Sequence, residues 1–478
     1  MGSRVEIILE DEKEVQRPFC KHGPTILFRK VGHGQKPIDF YACSLYRDGK
    51  KCKIHILKKE WDDFNDRDTK NRDILCQIAM KKPLAKESSG RNFCQSCGVF
   101  FKEKSMDRHL KHRNMKDLEK DRVREIKEYP SKFLELKEND KGEAQYIFSG
   151  KTLLFFKKLL EQLNFTKILC IGTPTIHSLI VTKISTCQSF LLDIDERYAN
   201  FFKEEFAKFN MFNCYFFECQ EAERHLWDFL KLEKDDRLAI ISDPPFGCRT
   251  ELLGECLRKL KELFREVNWG FTQILTVFLI LPYFMETYVK NEMPQLEMLD
   301  YRVNYVNHTT FHDDEDGGRF GSPVRIFTNA LPSLVELPAD EGYRKCKICS
   351  RWVSENNSHC PICQMCPSKN GGPYKHCEKC GICVKSFYRH CNSCNRCTQE
   401  SNHVCQDYQK NASCWICRQK GHIEKYCNLR KRKAKSITVR TCGICSKKNH
   451  SELHCTRRKA ILGEESFMGR YSINYSSQ

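Results

Sequence analysis

The chain has 478 residues, 30 of them cysteine, and Lys+Arg exceed Asp+Glu by 80 to 62 for a formal net charge of +18. Its 40% hydrophobic content can build a real core, which excludes wholesale disorder, and its length corresponds to about three domains. The longest apolar run, residues 274–284, is too short for a bilayer and contains Pro282, so it reads as a buried strand and no membrane partner is expected.

Many cysteines mean either a secreted disulfide framework or intracellular metal sites. The opening Met1-Gly2-Ser3-Arg4-Val5-Glu6 lacks the apolar stretch of a secretory signal, and Glu6 stands where myristoylation needs Ser or Thr. Reduced thiols and metal binding are therefore expected. Eighteen cysteines lie from Cys346 onward. From Asp340 to the end there are 26 Lys+Arg against 10 Asp+Glu, a formal +16. Such asymmetry suggests an arm for a polyanion.

In chain order, residues 1–60 place Cys20-x-His22 ahead of Cys43 and Cys52, a zinc ligand set. With Phe40-Tyr41-x-Cys43 it resembles a GRF-type finger, which implies single-strand binding. Ile54-His55-Ile56 replaces that finger's usual Phe-x-Trp. Residues 61–125 carry Cys94-x2-Cys97-x11-His109-x2-His112, which resembles a C2H2 finger, with a helical linker. His109 and His112 are about one helical turn apart, so both can face one metal. The alternative is a pair of surface histidines on a basic helix.

Residues 126–335 are apolar-rich, with short apolar runs alternating with amphipathic stretches. Strands are expected at 167–172, 189–195, 238–242 and 274–281, and a helix at 198–209 from the spacing of its aromatics. Residues 299–311 and 323–328 read as a closing antiparallel pair around an acidic, Gly-rich loop, 312–321. This is an α/β pattern with a mostly parallel sheet and helices on both faces. In such sheets ligands bind beyond the carboxyl ends of the strands. Three features fall there: Gly172 within Ile171-Gly172-Thr173-Pro174, the acids Asp193 and Asp195, and Asp243-Pro244-Pro245-Phe246. The two prolines fix a rigid extended turn. The Asp243 carboxylate and the Pro244 carbonyl can accept both hydrogens of an exocyclic amine, and Phe246 can stack on the ring that carries it.

This tetrapeptide resembles the signature of amino-methyltransferases with the S-adenosylmethionine-dependent Rossmann-like fold, in the version used by N6-adenine enzymes. The whole layout is similar to the zinc-finger CCHC-domain family that methylates adenine N6 in large-subunit ribosomal RNA. The resemblance implies S-adenosylmethionine as cofactor. It puts Gly172 near the cofactor's methionine part, Asp195, with Asp193 beside it, near its ribose, and Phe217-Glu218 beside its adenine; those last two residues read equally well as structural. Unlike the fuller family pattern, the first strand ends without a second glycine.

Residues 340–408 repeat H-C-x2-C-x2-C at His359-Cys360-Cys363-Cys366, His376-Cys377-Cys380-Cys383 and His390-Cys391-Cys394-Cys397. Cys346-x2-Cys349 precedes the repeat and His403-x-Cys405 follows it. Twelve cysteines and four histidines allow at most four four-coordinate zincs, and three are expected, with connectivity unreadable. The array resembles the cysteine-rich domain of DHHC proteins but lacks their active tetrapeptide, which disfavours palmitoyl transfer. A RING-like ubiquitin-ligase role is a remote alternative. Residues 409–478 hold two CCHC knuckles, Cys414-x2-Cys417-x4-His422-x4-Cys427 and Cys442-x2-Cys445-x4-His450-x4-Cys455. Such modules usually grip single-stranded nucleic acid, here with Trp415 and Tyr426 as stacking candidates. Between them Arg430-Lys431-Arg432-Lys433-Ala434-Lys435 reads as a phosphate clamp, a nuclear-import signal or a solvated linker.

About seven Zn2+ ions are thus expected. Cys76, Cys170, Cys187, Cys214, Cys219, Cys248 and Cys256 should pack as small apolar residues. The expected function is RNA N6-adenine methyl transfer, on structured ribosomal RNA, in the nucleus or nucleolus and also in the cytoplasm. The alternatives are a multi-finger RNA-binding adaptor that has lost activity, and a methyltransferase acting on DNA or another RNA.

Overall fold

The computed structural model describes residues 4–9, 17–32, 36–46, 51–67, 90–136, 145–217, 221–307, 322–394, 396–399 and 405. Both CCHC knuckles, the basic linker 430–435, Cys76, Glu218, Cys219, His403 and the loop 312–321 lie outside the described residues. The chain divides into two compact units, one comprising residues 5–31 and 36–344 and the other residues from 345 onward with 1–4 and 32–35.

The first unit is built on a mixed eight-stranded sheet. Its elements are α1 (Gly150–Gln162), β1 (Lys167–Ile171), α2 (Pro174–Lys183), β2 (Gln188–Asp193), β3 (Phe206–Asn210), β4 (Tyr215–Phe216), α3 (Glu221–Leu230), β5 (Leu238–Ser242), α4 (Thr250–Val267), β6 (Thr276–Pro282), α5 (Glu286–Glu292), β7 (Glu297–Met298) and β8 (Val324–Thr328). The spatial order is β4-β3-β2-β1-β5-β6-β8-β7. Strands β3, β2, β1, β5 and β6 run parallel, and β8 pairs antiparallel with β6 and β7.

The central strands are apolar throughout because both of their faces are covered. Leu169, Ile171, Phe190, Leu192, Leu238 and Ile240 point into one core with Leu226 and Leu230 of α3 and Leu252, Leu253, Leu260 and Phe264 of α4. The alternate residues face α2, where the Ser189 hydroxyl meets both His177 Nδ1 (2.9 Å) and Cys170 Sγ (3.3 Å). Ser149 caps α1 by accepting the Thr152 N–H, and Pro174 opens α2, where its missing N–H costs nothing.

Two expected elements differ. Residues 198–209 are not a helix but two 3-10 turns, Glu196–Asn200 and Lys203–Glu205, followed by β3. Asp195 caps the first turn, and from Phe206 the chain joins the ladder opposite Leu191. Pairing beside β2 overrides the local periodicity. The described part of the expected strand 299–311, residues 299–307, forms no regular strand; the paired segment is β7, just before it, and 308–311 lie outside the described residues. Beyond β7, Leu299 N–H reaches Ile326 O and Val303 N–H reaches Val324 O, so four residues advance against two of β8 and the register breaks. The path then bridges Phe148 at Tyr305.

The N-terminal fingers belong to this same unit. Ile26–Val31, Ile38–Ala42 and His55–Leu57 form one antiparallel sheet, and Asn92–Cys94, Val99–Phe101 and Asn114–Met115 another. In the second unit, two hairpins pair Tyr374–Cys377 with Ile382–Lys385 and Arg389–Cys391 with Arg396–Thr398. Among the described residues, no helix is long and apolar enough to cross a membrane.

His177 gives the core a pH dependence. Burial depresses its imidazole to about 3, against about 6.5 in an unfolded chain. Its contribution is complete above the unfolded value and is lost as pH falls from there, because only the unfolded state then takes up a proton. Between pH 6.5 and 5 the wild type should lose about 2 kcal/mol more stability than His177→Gln. Urea unfolding at both pH values measures this, and parallel losses would show that His177 is not the responsible group.

Candidate active site and metal centres

The carboxyl ends of β1, β2, β3 and β5 open onto a cleft. Register decides what meets there. Ile171 lies opposite Leu192 and Ser242, so the turns after β1, β2 and β5 begin side by side. Gly172 adopts φ +65, and a Cβ on it would lie 3.0 Å from Met211 Cε and 3.3 Å from the Asp243 carbonyl. Only glycine leaves this cradle open to a ligand. Ile171 and Thr173 are buried beneath it, and Pro174 lines its edge.

Asp243 forms the cleft floor, followed by Pro244 and Pro245. The Tyr305 hydroxyl donates to both carboxylate oxygens, at 3.0 and 3.1 Å. Desolvation pushes the Asp243 pKa well above the usual carboxylate range, and the Tyr305 hydrogen bond opposes that rise. Tyr305 is fully buried and stacks on Phe148 at 5.1 Å between centroids. Tyr146 lies nearly parallel to Phe246, 5.7 Å away at 14°, and Tyr305 presents an edge to Phe246 at 5.9 Å. An acid acceptor thus sits beside an aromatic wall. Sequence reasoning missed Tyr146 and Tyr305. They precede no motif, and they join the site only because 145–149 and 299–307 converge.

The two acids after β2 differ in role. Asp193 ends the strand at the cleft, and its Oδ1 accepts the Asp195 N–H at 2.8 Å. The Asp195 carboxylate is held by the Arg197 guanidinium at 2.6 Å and by Gln145 Nε2 at 2.7 Å, with 1% and 9% of the Asp195 and Arg197 side chains exposed. Breaking so buried a pair costs about 3–5 kcal/mol. Asp193, rather than the expected Asp195, therefore offers the carboxylate at the strand end that suits ribose hydroxyls, because Asp195 is engaged by Arg197 and Gln145. Phe217 does not line the cleft. It packs against Tyr215 and under the Lys208 ammonium, whereas Asn210, Met211 and Phe212 form that wall. The open Gly172 cradle, the Asp193 carboxylate and an apolar wall fit S-adenosylmethionine.

The metal ligands also converge. Cys20, His22, Cys43 and Cys52 form one group, and Cys94, Cys97, His109 and His112 a second, with all ligand atoms of each group within 4.8 Å of one another. Three more quartets lie in the array: Cys346-Cys349-His359-Cys366, Cys360-Cys363-His376-Cys383 and Cys377-Cys380-His390-Cys397. They interleave for a simple reason. His376 and Cys377 are adjacent on a strand and so face opposite sides, while His376 sits directly across from Cys383. Cys391 and Cys405 Sγ lie 3.6 Å apart, and Cys394 hydrogen bonds to both. Thiols in these groups split in pKa. Cys349 falls to about 4 through its hydrogen bond with Cys366, whose own value rises. Thiols crowded this closely share protons poorly and suit a cation. Outside these groups, Cys170 and Cys256 are buried among apolar residues, and burial pushes Cys170 to about 11.

Tyr305→Phe keeps the stack and removes only the hydroxyl. The Asp243 pKa should then rise further, so the acid limb of the kcat/KM profile for methyl transfer should move to higher pH. The rate at pH 7 should fall about tenfold or more through lost positioning. An unshifted profile would dissociate Tyr305 from Asp243.

Comparison with known proteins accords with this geometry. Residues 139–316, which span β1 to β7 and include Asp243, match the family described as "Probable N6-adenine methyltransferase". The chain is 37% identical over 388 residues to the rRNA N(6)-adenosine-methyltransferase ZCCHC4 of Bos taurus, covering 75% of this chain and 72% of that protein. It is 36% identical over 386 residues to the Homo sapiens protein of the same name, with the same coverage, and 35% over 382 residues to that of Xenopus laevis, covering 74% and 75%. The chain belongs to the family of these ZCCHC4 rRNA N6-adenosine-methyltransferases.

Proposed function

We propose that this protein methylates N6 of an adenosine in large-subunit ribosomal RNA, with S-adenosylmethionine as donor. The observation that carries the reading is Asp243-Pro244-Pro245-Phe246 at the end of β5, with its carboxylate fixed by Tyr305 beside the Gly172 cradle. When bound, the cofactor supplies an electrophilic sulfonium methyl. Gly172 and Asp193 would hold it.

The chain's own residues then act on the base. The N6 lone pair of adenine is delocalised into the ring and is a poor nucleophile. Asp243 and the Pro244 carbonyl accept its two hydrogens, which favours a more sp³-like nitrogen and aims the lone pair. Phe246 stacks on the ring and, with Tyr146, excludes water from it. Much of the gain is positioning. The base has to leave any stack to reach the floor of the cleft, which favours unpaired or distorted RNA.

The fingers serve as RNA-holding and structural modules. With Cys391, Cys394 and Cys405 as part of a fourth array site, the zinc complement becomes about eight rather than seven. The basic linker 430–435 supports phosphate binding and a nuclear or nucleolar location.

Purified protein incubated with labelled S-adenosylmethionine and total RNA should yield labelled N6-methyladenosine in the large-subunit rRNA. Asp243→Ala should reduce this by about 10²-fold or more while leaving RNA binding intact. Label in another nucleoside, or undiminished turnover in the variant, would sink the reading. Replacing Arg430, Lys431, Arg432, Lys433 and Lys435 with Gln should weaken RNA binding and flatten its salt dependence. An unchanged salt slope would make the segment a plain linker.

A further inference from the structure

The two N-terminal fingers touch the methyltransferase sheet at particular places. Each uses backbone carbonyls from its ligand-bearing loop, and each contacts one of the two loops that wall the cofactor cleft. In the second finger, Gln95 and Ser96 lie between Cys94 and Cys97. Their carbonyls accept from Arg197 Nη1 at 3.3 and 3.4 Å, beside the Glu135 carbonyl at 2.9 Å. The same guanidinium binds the Asp195 carboxylate through Nε and Nη2 and reaches Gln145 Oε1 at 3.3 Å. Asp195 and Gln145 both line the cleft. Gly98, which follows Cys97, accepts from Asn200 Nδ2 at 3.0 Å, and a Cβ on it would come within 3.0 Å of Arg197 Cβ.

The first finger repeats the arrangement on the opposite wall. The carbonyl of His22, itself in a ligand quartet, accepts from Asn210 Nδ2 at 2.8 Å and Asn213 Nδ2 at 3.1 Å. Asn213 also binds the Pro24 carbonyl at 2.8 Å, and Asn210 the Ser44 hydroxyl at 3.0 Å. Asn210, Met211 and Phe212 line the cleft. In both fingers the accepting carbonyls lie on or beside ligand residues, so the direction in which they point depends on the metal that closes the loop. Cys97 N–H to Cys94 Sγ, at 3.4 Å, is a contact within such a loop.

Resting on the reading of this cleft as an S-adenosylmethionine site, we propose that the two finger loops brace its walls. Arg197 and Asn213 are then positioning residues through which zinc in the fingers raises cofactor affinity. Neither touches the reacting atoms. Arg197 is suited to this because its planar fork binds a carboxylate and several carbonyls at once, which a lysine cannot do. By linkage, the cofactor should in turn tighten the fingers' hold on zinc.

The test uses the full-length zinc-loaded protein and S-adenosylhomocysteine as the probe, with Kd measured by calorimetry. Arg197→Lys should raise Kd about tenfold, and Asn213→Ala should raise it in the same direction without disturbing a charge pair. Zinc content and far-UV circular dichroism should stay at wild-type values. In turnover the donor KM should rise far more than kcat falls at saturating donor, a split that general loss of folded enzyme would not produce. At equilibrium with a competing chelator, saturating S-adenosylhomocysteine should preserve finger zinc in the wild type and lose that effect in Arg197→Lys. If the wild type does not bind the probe, the cofactor reading itself fails. If the wild type binds and both variants bind equally tightly, the bracing is overturned and the cofactor reading stands.

Discussion

The structure turns on keeping one carboxylate at the bottom of a desolvated cleft. Asp243 has lost most of its water, and a single hydroxyl, that of Tyr305, bridges both of its oxygens. A buried acid held this way is costly to maintain unless its surroundings are rigid. The rigidity comes from the register of β1 with β5, which sets Gly172 against the Asp243 carbonyl. It also comes from two consecutive prolines and from the aromatic stack that immobilises Tyr305. The edge of the sheet serves the same end. Where β7 loses register with β8, the freed chain is carried to Phe148, and Tyr305 arrives over the acid.

Elsewhere in the chain, metal ligands replace a hydrophobic core wherever the sequence is too polar to form one. The array has few fully buried apolar side chains, Val353 and Val384 among them. Its order rests on cysteines and histidines alternating across short hairpins. Each hairpin sends one ligand pair to the metal behind it and the next pair to the metal ahead, so neighbouring sites are mechanically joined. Thiolate ligation also tempers the tail's charge. If all eighteen tail cysteines bound as thiolates to six zincs, the formal +16 from Asp340 onward would fall to roughly +10.

The first finger shares the sheet's apolar core through Ile26 and Phe28, and both fingers are also tied to the sheet by polar contacts. The finger carbonyls that Arg197, Asn210 and Asn213 bind hold those side chains in place, and Asn210 itself and the Asp195 partner of Arg197 line the cleft. Fingers and catalytic scaffold are thereby one body in this unit.

Much of this was legible from residue order. The strands at 167–172, 189–195 and 238–242, the Asp243 to Phe246 motif, the two N-terminal ligand quartets and the identity of the array ligands follow from local spacing, because apolar runs, proline pairs and C-x2-C turns express their chemistry within a few residues. What was misjudged or unseen depends on distant partners. Residues 198–209 carry a helix-like aromatic period, yet the ladder beside β2 takes them as turn and strand. The interleaving of the array depends on which cysteine a hairpin sets opposite which histidine. Tyr305 acts on a carboxylate 62 positions away, and Arg197 on carbonyls 101 and 102 positions away. Spacing along a chain names the chemistry that its side chains can do. Only packing decides which carboxylate is left facing the cleft, because desolvation and hydrogen-bond partners are properties of the folded neighbourhood and not of the residue.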